Sequence, residues 1–587
     1  MRDVLGALSG LLAAFAALAV AELVSAAVRP EAGPVTVVGG VVIDSTPTAV
    51  KSWAIRTFGA QDKLVLQLGI LTLLALFAVV LGLLALRFRR SGSAGVLAFG
   101  LLGAAAALQR PAAQPLDVVP ALAGAVAGAG VLYLLAGRLA ARTVPGAGTA
   151  EGPGRSGGAD ADGSDSSDGS HGSGSSEGSG GPDASGGPGG PDASEAPEGA
   201  EGAEGRERTE GRQSTKGREG GEATGVFDRR GFVVAASVAA AASAGAGLLG
   251  RRLNASGARA AASRKAVALP APASPAAPVP RGAGLGLRGL SSHLTPTKDF
   301  YRVDTALVVP KVDAESWRLR IHGKGVTRPL TLDFQDLLRR ALIERRITLT
   351  CVSNEVGGPY AGNAQWIGVR LADLLREAGV RPPSRGGPAD QLVARSVDGM
   401  TLGSPVETVM DGRDAMLAVG MNGEPLPFAH GFPVRMVVPG LYGYVSACKW
   451  LQDLELTTFA DYDPYWVKRN WAREAPVKTQ SRIDTPRPLA DLRPGTVRVA
   501  GVAWAQHRGI DRVEVRVDGG AWHRARLAAE DTEDTWRQWM WEWQATSGSH
   551  TLEVRATDRG GRPQTGERVG TVPDGATGWH ALVVNVA

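Results

Sequence analysis

Cysteine is almost absent from this chain of 587 residues, which contains only two. Two thiols allow at most one disulfide, so the sequence excludes a scaffold held together by disulfides. Aromatic residues make up 5% of the chain, and the formal net charge is +5. No basic stripe with interleaved aromatic residues is present, which argues against nucleic acid as a partner. A chain of this length is expected to contain several domains.

Hydrophobic residues are missing from one long segment. Between Pro145 and Gly225 there is no Val, Ile, Leu, Met or aromatic residue, and Gly, Ser, Asp and Glu predominate. Such a segment cannot bury enough apolar surface to offset the entropy of folding. We therefore predict that residues 145–226 form a disordered cytoplasmic linker.

Long apolar runs precede this segment, at residues 4–28, 64–86, 95–108 and 118–136. A helix needs roughly 20 apolar residues to cross a bilayer, and only the third run is short. Arginines follow the second and fourth runs, at Arg87, Arg89, Arg90, Arg138 and Arg142. Positive loops stay on the cytoplasmic side, so these loops and the N-terminus are predicted to be inside. Residues 1–144 are thus predicted to form four transmembrane helices in the cell membrane.

A fifth apolar segment, residues 227–250, begins with Arg229-Arg230-Gly231-Phe232 and continues as an Ala-rich run. Two arginines before a weakly hydrophobic helix are typical of a twin-arginine export signal. The alternative is that Arg229 and Arg230 are ordinary cytoplasmic flanking charges. Both interpretations send the chain outward after this span. Residues 251–292, rich in Ala, Pro and Gly, are then predicted to be an extracytoplasmic linker.

The rest of the chain has globular patterning of two kinds. Residues 293–477 mix alternating strand patterns with short amphipathic helices, which is typical of an α+β domain. Residues 478–587 contain short, strictly alternating segments such as Val497–Trp504, separated by Gly and Asp turns. Regular short strands of this kind predict a β-sandwich. The overall fold class is therefore multidomain: all-α transmembrane helices, then an α+β domain, then a sandwich.

Cys351 ends the β-branched run Ile347–Thr350 and is followed by a Gly-rich loop. This pattern predicts a thiol at a strand end that faces a cavity. A thiolate in that place suits a soft metal. Two alternatives stay open on the residues alone: an inert, packed cysteine, and a disulfide with Cys448.

Three stretches resemble the sulfite oxidase family of molybdopterin enzymes. They are the segment around Cys351 with Gly-Asn-Ala-Gln-Trp-Ile-Gly at residues 362–368, Met-Asn-Gly-Glu-Pro-Leu-Pro-Phe-Ala-His-Gly-Phe-Pro-Val-Arg at 421–435, and Gly-Tyr-Val-Ser-Ala-Cys-Lys-Trp-Leu at 443–451. The resemblance implies a molybdopterin-binding oxidoreductase domain at 293–477 and an immunoglobulin-like dimerisation domain at 478–587. It also implies a molybdenum-molybdopterin cofactor with Cys351 as the metal ligand.

The resemblance assigns further residues of this chain. Cys351 and Arg302 are expected to be catalytic, and the cofactor is expected to contact Asn363, Ala364, His430, Arg435, Ser446, Lys449 and Asp304. One departure concerns Met400 and Leu402, which occupy a segment where sulfite-oxidising relatives have an active-site tyrosine. A thioether cannot donate or pass a proton as a phenol does, which argues against sulfite as the substrate.

The sequence therefore predicts a membrane-anchored oxidoreductase with an extracytoplasmic catalytic domain that transfers an oxygen atom to or from a small molecule. No haem-binding motif is present, so a separate electron-transfer partner, cytochrome or quinone-linked, is expected. The sandwich makes a homodimer possible. The alternative is a catalytically inactive membrane protein that uses the same fold for binding or sensing.

Overall fold

The computed structural model describes residues 1–29, 32–47, 50, 53–54, 57–58, 62–110, 113–139, 229–253 and 256–587. The predicted linker 145–226 lies outside the described residues, as do Phe227 and Asp228 at the start of the predicted fifth span. Most of the described residues among the first 253 are helical. The helices are α1 Arg2–Val28, α2 Pro34–Ser45, α3 Asp62–Arg87, α4 Arg89–Leu108, α5 Val119–Leu139 and α6 Arg229–Leu253.

Within the described residues, five helical segments are long and apolar enough to cross a membrane: Arg2–Val28, Lys63–Arg87, Arg89–Leu108, Pro115–Leu139 and Arg230–Gly250. Each of the four N-terminal apolar runs falls within one of them, and the fifth predicted segment shares residues 230–250 with the last. Helix α2 has 12 residues, which is too short to span, and it was not predicted. Below, α1 to α6 are together called the anchor.

Small residues bring the helices of the anchor together. A Cβ at Gly10 would lie 1.8 Å from the backbone oxygen of Ala78, and one at Gly82 would lie 2.2 Å from that of Gly6. Large residues such as Leu73 and Leu76 are instead exposed on the outside of α3. Close backbone approach through glycine, with leucine facing outward, is typical of helices that pack within lipid.

The segment predicted as an extracytoplasmic linker, residues 251–292, is attached to the domain that follows. It contains helix α7, Ser256–Ala266. The Arg264 guanidinium donates hydrogen bonds to the carbonyl oxygens of Pro425 and Leu426, both at 2.8 Å. Ser274 forms a bridge with Ile343 on the edge of a sheet. These contacts could not be predicted from the composition of the segment, because they are made to residues far along the chain.

The central α+β region contains two five-stranded sheets. One has the order β2-β1-β10-β5-β6, and the other has β3-β4-β7-β8 with β9 also paired to β7. The strands are β1 Arg318–Gly323, β2 Leu330–Asp333, β3 Leu342–Thr350, β4 Ala361–Arg370, β5 Gln391–Ser396, β6 Thr401–Pro405, β7 Met416–Met421, β8 Glu424–Pro425, β9 Arg435–Val437 and β10 Leu451–Thr457.

Short helices connect these strands: α8 Phe334–Leu338, α9 Leu371–Glu377, α10 Val406–Met410 and α11 Gly443–Ser446. Asp333 begins α8 through a reciprocal capping box with Asp336. Buried residues of both sheets, such as Trp366 and Leu454, belong to one hydrophobic core.

The C-terminal region is a β-sandwich, as predicted. Its two sheets have the orders β11-β13-β17-β16 and β12-β19-β18-β14-β15. Trp539 and Trp543 on one face of β17 are buried in its core. The strands are β11 Gln480–Thr485, β12 Asp491–Leu492, β13 Gly495–Trp504, β14 Ile510–Val517, β15 His523–Arg524, β16 Arg526–Leu527, β17 Arg537–Ala545, β18 Gly548–Asp558 and β19 His580–Val586.

Buried polar contacts join the sandwich to the central domain. Arg346 on β3 binds Asp531 with two guanidinium nitrogens, one at 2.7 Å from Oδ1, and His293 Nε2 lies 2.9 Å from Oδ2 of the same carboxylate. The Gln506 amide donates to the carbonyl oxygen of Thr348 at 2.9 Å. Because Thr348 lies three residues before Cys351, the sandwich supports the strand that carries this thiol.

Candidate functional site

A cavity of about 400 Å³ lies where the central domain, the sandwich and the anchor meet. Cys351 lines it from the end of β3, and His430, Arg435 and Lys449 line it from the segments around β9 and α11. Four residues that sequence reasoning placed in one site are therefore neighbours, although up to 98 positions separate them in the chain.

Cys351 follows the last residue of β3, and its backbone N–H donates to the carbonyl oxygen of Tyr360 at 2.9 Å. This contact closes the Gly-rich loop that the sequence predicts. Cys351 and Cys448 are both free thiols and both line the cavity, so they form no disulfide. Burial raises the pKa of the Cys351 thiol. A metal that binds this sulfur therefore has to displace its proton, as thiolate ligation generally does.

Arg435 is a buried cation, with 6% of its surface exposed. Its guanidinium donates to the carbonyl oxygen of His430 at 3.3 Å and lies 5.0 Å from the ring centre of Trp366. Among the described residues, its Nε has no hydrogen-bond partner, and no carboxylate forms an ion pair with it. Burial lowers the pKa of Arg435 to about 10. A buried guanidinium in this state is suited to a bidentate anion.

His430 is also buried and shares this part of the cavity. Burial, together with the positive charges of Arg435 and Lys449, lowers the pKa of His430 to about 4. The imidazole is therefore neutral near pH 7. It can donate one hydrogen bond and accept another without adding charge.

Asp304 lies at the centre of a cationic cluster. Its carboxylate binds Lys63 of α3, Arg302 at 2.9 Å and Lys449 at 2.8 Å. Burial would raise the pKa of Asp304, but the charges of Lys449 and Lys63 outweigh it and hold that pKa well below its usual range. Burial also lowers the pKa of Lys449 to about 8. With three cations around one carboxylate, the cluster retains positive charge for an anionic ligand.

Several residues that line this cavity were not predicted from the sequence, among them Lys63 and Tyr301. Lys63 belongs to the anchor, 241 positions before Asp304, and no local pattern marks it. Tyr301 lies beside the predicted Arg302 and lines the cavity. Burial, and then the nearby Cys351, raise the pKa of the Tyr301 phenol, which therefore stays protonated as a donor. A phenol is thus present, although Met400 and Leu402 line the cavity where the sequence comparison expects one.

Three predicted cofactor contacts are not brought to the cavity. The Asn363 side chain is buried in β4, where it donates to the carbonyl oxygen of His293 and accepts from Thr348. Ala364 is fully buried in the hydrophobic core. The Ser446 hydroxyl donates to the carbonyl oxygens of Leu441 and Tyr442. These three side chains lie behind the cavity wall, and the contact of these residues with the cofactor stays a prediction.

Arg302, the second predicted catalytic residue, lies between the cavity residues Tyr301 and Val303 in sequence but does not itself line the cavity. Its side chain is 39% exposed, and its described ion-pair partner is Asp304. Of the predicted site residues, Cys351, Asp304, His430, Arg435 and Lys449 are the ones that line the cavity itself. Their chemistry is that of one soft ligand beside an anion-binding cluster.

These residues fit a molybdopterin cofactor. The cofactor requires a soft ligand for its metal and donors for its phosphate. Cys351 supplies the first. Arg435, whose Nε has no partner among the described residues, supplies the second together with Lys449. The fold and cavity together define a cofactor-binding oxidoreductase domain followed by an immunoglobulin-like domain.

Comparison with known proteins agrees with this class. Residues 306–466 match the family described as the oxidoreductase molybdopterin binding domain, and residues 480–554 match the bacterial Ig domain. The chain belongs to the sulfite oxidase family of molybdopterin oxidoreductases, and its cofactor is a molybdopterin.

Two relatives illustrate the extent of the similarity. Mitochondrial sulfite oxidase from Rattus norvegicus is 30% identical over 291 residues, which are 43% of this chain and 53% of the relative. The uncharacterized oxidoreductase YuiH from Bacillus subtilis is 31% identical over 175 residues, which are 30% of this chain and 82% of the relative. The chain thus spans about half the length of the first relatives it matches.

Among solved structures, the sulfane dehydrogenase SoxCD from Paracoccus pantotrophus is similar to this chain with 25% sequence identity and a TM-score of 0.43. The match covers 52% of this chain and 88% of that one.

Proposed function

We propose that this protein is a membrane-anchored, extracytoplasmic molybdenum-cofactor oxidoreductase that transfers an oxygen atom to or from a small substrate. The observation that carries the proposal is the pair formed by a free cavity thiol, Cys351, and a buried guanidinium, Arg435, with no carboxylate partner among the described residues. A cysteine and an arginine that only stabilise the fold do not require a free thiol and a cation without a carboxylate partner in one cavity. A metal ligand and an anion-binding residue do require them.

Bound in the cavity, the molybdenum centre supplies the two-electron redox chemistry of oxygen-atom transfer. The chain supplies binding, orientation and protons. Cys351 would hold the metal, Arg435 and Lys449 would bind the cofactor phosphate, and neutral His430 would donate a hydrogen bond. Tyr301 and Arg302 are the groups suited to contact the substrate. Tyr301 offers a phenolic proton inside the cavity, and Arg302 offers charge next to the cavity residue Asp304, which it binds.

The contacts of the anchor support an extracytoplasmic catalytic domain. Asp44, near the end of α2, accepts a hydrogen bond from Tyr465, and Lys63, near the start of α3, binds Asp304. Arg87, near the other end of α3, lies 24 residues from Lys63, about 36 Å along the helix at 1.5 Å per residue. This distance exceeds the ~30 Å core of a bilayer. If the arginines are cytoplasmic, the catalytic domain is outside.

The proposed domains are four transmembrane helices at 1–144, a cytoplasmic linker at 145–226, a fifth helix with a twin-arginine signal at 227–250, a connecting segment at 251–292, the catalytic domain at 293–477 and the immunoglobulin-like domain at 478–587. Export through the twin-arginine pathway would deliver the domain already folded around its cofactor. A reporter fused after Gly250 tests this. Export should fail when Arg229 and Arg230 are both changed to Lys, and unchanged export would contradict it.

The electron partner is proposed to be a separate cytochrome or a quinone-linked protein, and a homodimer through the sandwich fits the same proposal. Relatives are named for the oxidation of sulfite. Both directions of the reaction are assayed on the purified full chain. Reduction of ferricyanide in the presence of sulfite tests oxidation of the substrate, and oxidation of reduced viologen in the presence of a sulfoxide tests its reduction. Turnover in one assay, absent in Cys351→Ser, is expected. Molybdenum-loaded protein that is inactive in both would favour a binding or sensory role.

A further inference from the structure

The anchor forms part of the wall of the catalytic cavity. Ile43 and Thr46, at the end of α2, line it, and so do Lys63 and Leu66 in the first turns of α3. Lys63 also donates to the carbonyl oxygen of Ala306 at 2.8 Å. The side chain of Leu307 packs at Gly39 of α2, where an added Cβ would lie 2.4 Å from its Cδ2. The anchor and the catalytic domain therefore contact each other at several points around the cavity.

This wall is mainly apolar. Ile43 and Leu66 face the same cavity as Val303 and Trp466 of the central domain and Val572 of the sandwich. The charged groups, in contrast, are concentrated at Arg435, His430 and the Asp304 cluster. The cavity thus has one polar region, which suits the cofactor and a polar reacting group, and one apolar region contributed by three parts of the chain.

We propose that the apolar wall formed by Ile43 and Leu66 of the anchor binds the hydrocarbon body of an amphipathic organic substrate. The polar, oxygen-bearing head of that substrate points toward Cys351. This inference rests on the proposed oxidoreductase function and narrows its substrate class. A bare inorganic oxyanion gains nothing from apolar contacts, whereas an organic oxyanion gains roughly 25 cal/mol for each Å² of apolar surface it buries.

Two probes with the same reacting group test the proposal: methanesulfinate and p-toluenesulfinate. Both carry one sulfinate anion, and they differ in the size of the apolar body. Calorimetric titration of the detergent-solubilised full chain with each probe gives the ratio of their dissociation constants. We expect p-toluenesulfinate to bind about tenfold tighter than methanesulfinate, because the aromatic ring buries additional apolar surface.

The matched variants are Leu66→Ser and Leu68→Ser. Both make the same change two positions apart on α3, but Leu66 lines the cavity while Leu68 is exposed on the outside of the helix. Leu66→Ser is expected to reduce the ratio between the two probes about fivefold through the loss of apolar contact, and Leu68→Ser to leave it unchanged. Equal ratios in the wild type and in both variants would overturn the proposal.

A soluble quinone analogue serves as a third probe, because a quinone from the bilayer would use the same wall. If Leu66→Ser weakens the binding of the quinone and leaves the sulfinate ratio unchanged, the wall belongs to an electron partner and the substrate proposal is wrong. Molybdenum content is measured on the same samples. Protein without molybdenum would contradict the proposed function, while the calorimetric ratio would still report on the wall.

Discussion

Replacing Arg435 with Met should make the cofactor-free protein more stable. Arg435 is 6% exposed, and its described hydrogen bond is a 3.3 Å contact with the carbonyl oxygen of His430. Burial lowers its pKa to about 10, well below the usual value for arginine, so the folded state disfavours the charged form. At 1.36 kcal/mol per pKa unit, this costs about 3 kcal/mol at neutral pH. Met keeps the packing against Trp366 and removes the charge.

We expect Arg435→Met to stabilise the apoprotein by about 1–3 kcal/mol, in line with other replacements of buried charges by apolar residues. For a domain of this size, this raises the melting temperature by roughly 5 °C. The assay is thermal unfolding, followed by tryptophan fluorescence, of protein made in a host that lacks molybdopterin. Pyrophosphate, which mimics the cofactor phosphate, should raise the melting temperature of the wild type and leave that of the variant unchanged.

Arg482→Met is the matched control. Arg482 is as buried as Arg435, but its guanidinium binds Asp484 at 2.6 Å, the carbonyl oxygen of Gly358 at 2.8 Å and Ser291 at 2.9 Å. Removing it leaves the buried Asp484 carboxylate without its cation and should cost about 3–5 kcal/mol. A destabilised Arg435→Met apoprotein would refute the reasoning, because it would show that Arg435 is satisfied within the protein and serves the fold.

Other substitutions test the fold around the site. In chemical denaturation, Asp531→Asn should destabilise the protein by about 3–5 kcal/mol, because it leaves buried Arg346 without its carboxylate. The control is Glu542→Gln, which alters an exposed ion pair and should change stability by less than about 1 kcal/mol. The pKa of Asp531 is held below its usual range: burial opposes this, but hydrogen bonds from His293 and Arg346 prevail. The difference in the free energy of unfolding between wild type and Asp531→Asn should therefore reach its largest value above about pH 4 and disappear as the pH falls through the lowered pKa of Asp531. A difference that does not change with pH would contradict this. Gly368→Ala should destabilise the protein by about 1–3 kcal/mol in the same assay, because the new Cβ would lie 2.2 Å from the carbonyl oxygen of Leu417 on the paired strand. Unchanged stability would show that the two strands are less closely packed.

Much of the fold could be predicted because local patterns decide it. The long apolar runs can only be stable as buried or membrane-spanning helices, and strict alternation around Val497–Trp504 produces the sandwich. Helix α2 could not be predicted, because 12 residues are too few to span a membrane and too many for a typical strand. Its place depends on α3 and on the catalytic domain.

Cys351 and Arg435 could be placed in the candidate site because they lie in distinctive local sequences, and both line the cavity. Asn363 and Ser446 lie in the same sequences, but their side chains bind nearby main-chain carbonyl groups, so their contact with the cofactor stays a prediction. Lys63 could not be found from its surroundings, because its contact with Asp304 arises only when the anchor meets the domain. Tyr301 could have been identified from the sequence, because it directly precedes the predicted site residue Arg302.

Elemental and cofactor analysis of the purified full chain tests the central claim most directly. The protein is made in a host that produces molybdopterin, as wild type and as the matched variants Cys351→Ser and Cys448→Ser, since both thiols line the cavity. We expect about one molybdenum per chain in the wild type and in Cys448→Ser, and loss of the metal in Cys351→Ser. Wild-type protein without molybdenum, or equal metal content in all three samples, would contradict it.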